Sequence, residues 1–251
     1  MEITNIIAFI SEWLGVIAVA WLLGLSHRFQ KPPIGFRYAR RDGLIAFSLS
    51  ALIIVFSYFY NTAINPPEIA QSLRISPAPV HNLIQALLLA VFCLAPFVVA
   101  LLVRQQPIRS IGWNLALMTP GLQMGVSMAI LTIFLRNRVM DVLGGLAAPV
   151  LSSLPIAIGI ALAEETIFRG YIQMRLAWWL GPWPGLVLSA ALFTLWHLPA
   201  WLQTLPIQTY LILAGLTFAQ GLVLGWVMRK SGNVVAPALY RSFSIWVTLI
   251  G

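Results

Sequence analysis

The sequence predicts an all-α fold: a polytopic transmembrane bundle of about eight helices, with both the N-terminus and the C-terminus outside. Three observations carry that expectation. The first is composition: of 251 residues, 60% are hydrophobic and 9% charged, where soluble domains have about 45 to 50% apolar and about 25% charged residues. So few charges cannot cover a compact body of this size in water, whereas a chain surrounded by lipid needs none there. The second is run length, because the apolar stretches repeatedly reach the roughly 20 residues needed to cross about 30 Å of hydrocarbon. The third is the placement of Lys and Arg, which fall between those stretches.

Taken in order, the expected spans are 5–26, 43–61, 81–103, 113–135, 148–168, 184–200, 207–228 and 234–250. The first has Glu2 ahead of it and its basic cluster behind it, the pattern of an uncleaved anchor. The breaks NPPE at 65–68, GPWPG at 181–185 and SGNVVAP at 231–237 are turn signals. Assigning alternate loops to one side puts Arg28, Lys31, Arg37, Arg40, Arg41, Arg104, Arg109, Arg169, Arg175, Arg229 and Lys230 inside. Only Arg74, Arg136 and Arg138 fall outside, and Arg241 is left within the last span. The positive-inside rule then sets the orientation. The chain therefore reads as one multi-pass membrane domain, 1–251, expected in the plasma membrane of a prokaryote.

The formal charge of +8 is spread between apolar runs, which excludes nucleic acid as a partner, since such binders concentrate their excess on one solvated face. The run 28–41 is read instead as a contact to anionic membrane lipid. The single cysteine, Cys93, lies in an apolar run and can form no intrachain disulfide. Gly121 with Gly125, and Gly221 with Gly225, have the spacing of small residues at close helix contacts. The Trp residues near the GPWPG turn fit an interfacial belt.

Charge left inside the spans marks the site. These residues are Glu164, Glu165, Arg169, His197 and Arg241. An ionisable group in the bilayer costs at least about 2.5 to 3.5 kcal/mol on insertion scales, so it faces a polar cavity or a partner. Glu165 and Arg169 are spaced i, i+4 and can pair, while Glu164 is rotated by about 100° and free to point elsewhere. Arg169 lies 14 residues before Trp183, at the centre of the GPWPG turn, and His197 lies 14 after it. In an antiparallel hairpin that puts the Glu, Arg and His side chains at one depth, about 20 to 28 Å from the turn. Glu with His can take a proton from water and return it to a leaving group. A zinc site would require a further His or an HExxH motif, so Glu164 and His197 leave room only for a loosely held divalent ion such as zinc.

These residues carry a resemblance. LAEETIFRGYIQ, with Glu164, Glu165 and Arg169 as EExxxR, followed by SAALFTLWHLP, with Phe193 and His197 as FxxxH, resembles the CPBP intramembrane proteases. These form the CAAX-protease and bacteriocin-processing family, which includes the eukaryotic type II CAAX prenyl endopeptidase. The stretches RSIGWNL at 109–115 and GLVLGWVMRKSGNVVAPALYRSF are also similar to that family. The resemblance implies a protease-like core over 109–251, with 1–108 as accessory helices. It implies that Glu164 and His197 activate a water that hydrolyses a peptide bond of a membrane-associated or lipidated protein or a leader peptide, with Glu165 and Arg169 in support. It also implies a third motif, HxxxN or HxxxD, and there this chain departs: Arg241 stands where the His is expected and Ile245 where the Asn or Asp is expected. Arg241 can serve as an oxyanion donor, with Phe193 beside the substrate, or it can pair with a glutamate in a catalytically inactive relative that acts as a membrane scaffold. A weaker alternative is a small proton-coupled transporter, in which the buried Glu and His relay protons.

Overall fold

The computed structural model describes residues 3–29, 35–64, 78–202 and 205–250, and these form helices and turns with no strand among them. Lys31, Arg74 and the NPPE break lie outside the described residues. The helices are α1 (Ile3–Gly24), α2 (Ala39–Phe59), which ends in a π-helical turn Tyr60–Ile64, and α3 (Ala78–Val103). After two 3-10 turns, Ile108–Ile111 and Leu115–Leu117, come α4 (Met118–Leu135), the short α5 (Val139–Gly144) and α6 (Ala148–Glu165). A π-helical segment, Thr166–Gln173, joins α6 to α7 (Met174–Leu180). The chain then folds back as α8 (Pro182–His197), α9 (Pro199–Leu202), α10 (Ile207–Ser231) and α11 (Val235–Val247).

Six of the expected spans are helices long and apolar enough to cross a membrane by themselves: Ile7–Gly24, Ala39–Ala63, Val80–Val103, Leu115–Leu135, Ala148–Leu180 and Ile207–Ser231. The expected sixth and eighth spans are α8, with 16 residues, and α11, with 13. At 1.5 Å per residue these are about 24 and 20 Å long, short of a full hydrocarbon core. Both pack among the longer helices, α8 against α10 and α7, and α11 against α4 and α6.

The fifth span does not stop at 168. It runs without a break from Ala148 to Leu180, and Arg169 and Arg175, assigned above to a loop, are fully buried within it. Each has internal partners in place of water. Arg169 pairs with Glu165. Arg175 donates to the carbonyls of Ser110 and Tyr171, both at 3.1 Å, and to Gln106, with its guanidinium over the Tyr171 ring. A second departure is Glu12 in the middle of α1, which is buried and paired with Arg136 at the end of α4. That pair ties the first helix to the core where the composition alone suggested a plain apolar anchor.

Small residues set how closely the central elements approach. Gly112 has φ +81°, and its carbonyl accepts from the Val234 N–H at 3.1 Å, joining the 108–117 connection to the start of α11. The same connection presses on the π-helical segment, and a Cβ on Gly170 would lie 2.0 Å from the Ile111 carbonyl oxygen. Nearby, Trp113 donates to the Thr166 hydroxyl at 3.0 Å, and Asn233 donates to the Asn114 carbonyl at 2.8 Å. Of the four glycines expected at close contacts, Gly121 faces Asn233, Gly125 faces Leu239, Gly221 faces Ala190 and Gly225 faces Gln173. In the hairpin, Gly181 turns the chain at φ +98°.

The backbone contact at Gly170 gives a direct test. Gly170→Ala forces a methyl group onto a carbonyl, and overpacking of this kind costs about 1 to 3 kcal/mol or more. Its unfolding midpoint in detergent should fall clearly below that of the parent. Gly215→Ala, where nothing lies within 4 Å, should leave the midpoint unchanged or raise it slightly, since Ala is the better helix former.

Candidate active site

Five helical elements supply the charged cluster and its polar neighbour Gln220. Glu164 and Glu165 are the last residues of α6, and Arg169 lies in the π-helical segment that follows, all of whose residues are buried. His197 closes α8, Arg241 lies midway along α11, and Gln220 reaches in from α10. Wide turns of this type inside a helix commonly accompany functional sites, because they re-aim side chains without ending the helix.

The structure brings the expected residues together. Glu165 and Arg169 approach to 3.3 Å, both with no exposed side-chain surface. Glu164 points the other way. One of its carboxylate oxygens lies 3.7 Å from His197 Nε2, and the other is in close contact with an Arg241 Nη2 nitrogen. The same Nη2 lies 3.1 Å from His197 Nε2, and Arg241 Nη1 donates to the Gln220 amide oxygen at 3.1 Å. Arg241 therefore bridges the glutamate and the histidine.

These contacts fix the imidazole tautomer. His197 Nδ1 lies 2.9 Å from the Phe193 carbonyl oxygen. A carbonyl can only accept, so Nδ1 carries the proton, and a guanidinium can only donate, so Nε2 presents a lone pair to Arg241. His197 is neutral in this arrangement. With 19% of its side chain exposed, it is the most open member of the cluster, against 4% for Glu164 and 7% for Arg241.

The Phe193 ring lies against three members of the cluster as a platform. Its ring is fully buried, and the Arg169 and Arg241 guanidiniums lie 4.3 and 4.7 Å from its centroid, with the His197 ring edge-on at 4.4 Å. Cation–π attraction to one ring is worth about 2 kcal/mol or more when water is excluded. The one aromatic side chain thus holds two like charges that would otherwise repel. Ile245, one turn further along α11, is half-buried and packs with a separate apolar group around Ala157 and Trp246. It does not join the cluster.

No group of three or more His, Cys, Asp or Glu among the described residues is placed to hold a metal ion. Glu164 and His197, the pair left open for a loosely held divalent ion, both bond to the cationic guanidinium of Arg241. A second cation there would be repelled, so these donors do not suit a metal in this arrangement. Gln220 was not distinguishable in the sequence from any other polar residue of its helix. Glu12 was visible as a charge within the first span and belongs among the intramembrane ionisable groups, although it lies in a separate pair.

The arrangement can do acid–base chemistry. It offers a carboxylate, an imidazole lone pair and a permanent cation within 4 Å of one another, which are the groups needed to remove a proton from water and to hold a developing negative charge. No curated protein and no solved structure matches the chain. Residues 146–247 match the family described as Type II CAAX prenyl endopeptidase Rce1-like. The matched stretch begins at the entrance to α6 and ends with α11, so it holds every residue of the cluster and lies inside the 109–251 region expected to form the core. The segment that carries the buried Glu, Arg and His residues is thus similar to the type II CAAX prenyl endopeptidases.

Proposed function

We propose that this protein is an intramembrane endopeptidase that hydrolyses a peptide bond of a membrane-associated or lipidated protein, or of a leader peptide. The observation that carries the reading is the convergence of Glu164, His197 and Arg241 within 3.7 Å across three helices, in a segment similar to a protease family. The same match favours hydrolysis over proton relay by a transporter.

In the proposed mechanism a water enters from the exposed side of His197 and takes the place of the Arg241 Nη2 nitrogen between the carboxylate and the imidazole. Glu164 accepts one proton as the water oxygen attacks the peptide carbonyl carbon. The carbonyl oxygen becomes an oxyanion and is held by the displaced Arg241 guanidinium, a permanent cation with five donors. The tetrahedral intermediate collapses as the C–N bond breaks, and the proton passes from Glu164 to the leaving amine. His197, with its proton on Nδ1, keeps the Nε2 lone pair directed at the water. Glu165 and Arg169 neutralise one another beside this centre, and they hold the helix turn that aims Glu164.

One observation favours a second reading, that of a membrane-binding relative without activity. The Arg241 guanidinium occupies the space between Glu164 and His197 that an activated water requires. The two readings differ in what Arg241 does, and substitution separates them.

With purified protein in lipid nanodiscs and a panel of lipidated and leader peptides, cleavage should be detected by mass spectrometry. Glu164→Gln and His197→Ala should each lower the rate by about 100- to 10,000-fold. Peptide turnover indifferent to both changes would exclude the proposed site. If Arg241 holds the oxyanion, Arg241→Met should lower kcat by about 100- to 1,000-fold with little change in KM. If the natural chain is instead inactive and Arg241→His with Ile245→Asn creates activity, the enzymatic reading of this chain fails and the binding-protein reading stands.

A further inference from the structure

At the end of the bundle where α2 starts and α3 finishes, four arginines converge on one cavity. Arg37, Arg41, Arg104 and Arg109 line a space of about 290 Å³. Arg104 is held by Asp42, whereas Arg37, Arg41 and Arg109 have no acidic partner among the described residues. The Tyr38 ring lies under the first two, with guanidinium carbons 5.3 and 4.4 Å from its centroid. The cavity therefore has a net positive charge of three, fixed in place by a carboxylate and an aromatic ring but not neutralised.

The surface below is apolar and grooved on both sides of one ridge. Arg41, Ile45 and Leu49 are spaced i, i+4, i+8 along α2 and so form one stripe. On one flank they border a groove of about 770 Å³ that continues over Pro96, Val99 and Val103 of α3. On the other flank they border a groove of about 640 Å³ beside Tyr38, Leu44 and Ser48. The first groove stays open because α2 packs chiefly against α7 while α3 packs chiefly against α6. Arg41 lines the polar cavity and both grooves.

We infer that this face binds one anionic diacyl phospholipid, its phosphate among the four arginines and its two acyl chains astride the Arg41–Ile45–Leu49 ridge. The charge excess selects a phosphate without a compensating cationic headgroup. Paired grooves that meet at one arginine select two chains over one. Bidentate guanidinium contacts suit phosphate oxygens, which favours arginine over lysine at each of these positions. The site is separate from the buried Glu164 cluster and stands whether or not that cluster hydrolyses peptides.

The test uses delipidated, detergent-solubilised full-length protein titrated with phosphatidylglycerol, with phosphatidylcholine of the same chains, and with soluble glycerol phosphate, the bound species being counted by native mass spectrometry. One phosphatidylglycerol should bind at least about tenfold more tightly than phosphatidylcholine, and glycerol phosphate should not compete. Arg41→Gln and Arg109→Gln should each weaken that binding about fivefold, with unchanged unfolding midpoints, since both side chains are exposed. Arg28→Gln, which removes an exposed charge that does not line the cavity, should leave binding unchanged. The inference is overturned by equal affinity for phosphatidylcholine, by equal losses in the Arg28 and Arg41 variants, which would mark diffuse attraction to a charged membrane, or by competition from glycerol phosphate, which would mark a phosphate site without a lipid.

Discussion

Charge cannot stand alone in hydrocarbon, and that constraint organises the centre of this protein. Glu164, Glu165, Arg169 and Arg241 bring two negative and two positive charges together in a buried space, and with His197 neutral the group sums to zero. Each carboxylate has its own guanidinium. Phe193 lets the two cations lie side by side. Taking one charge out of a buried pair leaves the other uncompensated, at a cost of about 3 to 5 kcal/mol in soluble proteins. The cluster thus acts as one unit, with Glu165–Arg169 as its closed half and Glu164–Arg241–His197 as the half able to change partners.

The surrounding fold serves to aim these groups. A plain α-helix from Ala148 to Leu180 would carry Glu164 and Arg169 past the site on a uniform spiral. The π-helical turn after Glu165 widens the helix where the charges lie, and Gly170 lets the Gly112 connection press against that turn. The connection in turn bonds to Val234 and Asn233 at the start of α11, the helix that brings Arg241. A line of close contacts therefore links the element with the glutamates to the element with the arginine. The hairpin between α7 and α8 supplies His197 from the other side.

Much of this could be read from the residues. The all-helical membrane fold followed from the scarcity of charge, and the common depth of Arg169, His197 and the glutamates followed from counting residues on either side of Trp183, because a hairpin of regular helices converts residue number into distance. What escaped was set by tertiary contact. The fifth helix runs on through Arg169 to Leu180 because Arg175 finds the Ser110 carbonyl and the Gln106 side chain across the packing interface, and nothing within the helix announces those two partners. Gln220 enters the cluster through the packing of α10 alone. Glu12 needed only its partner Arg136, 124 positions away, to be recognised as a structural pair. The early end of α11 was hidden for a similar reason: the apolar run continues to Ile250, while the helix stops at Val247.

The central claim is that Glu164 and Arg241 depend on one another. A double-mutant cycle tests it most directly, with Glu164→Gln, Arg241→Met and the pair compared by reversible unfolding in mixed micelles. Each single change should destabilise the protein, and the double variant should be more stable than the sum of the two losses predicts, by about 1 kcal/mol or more. Losses that simply add, within about 0.5 kcal/mol, would contradict the account and leave Arg241 as a bystander to the glutamate.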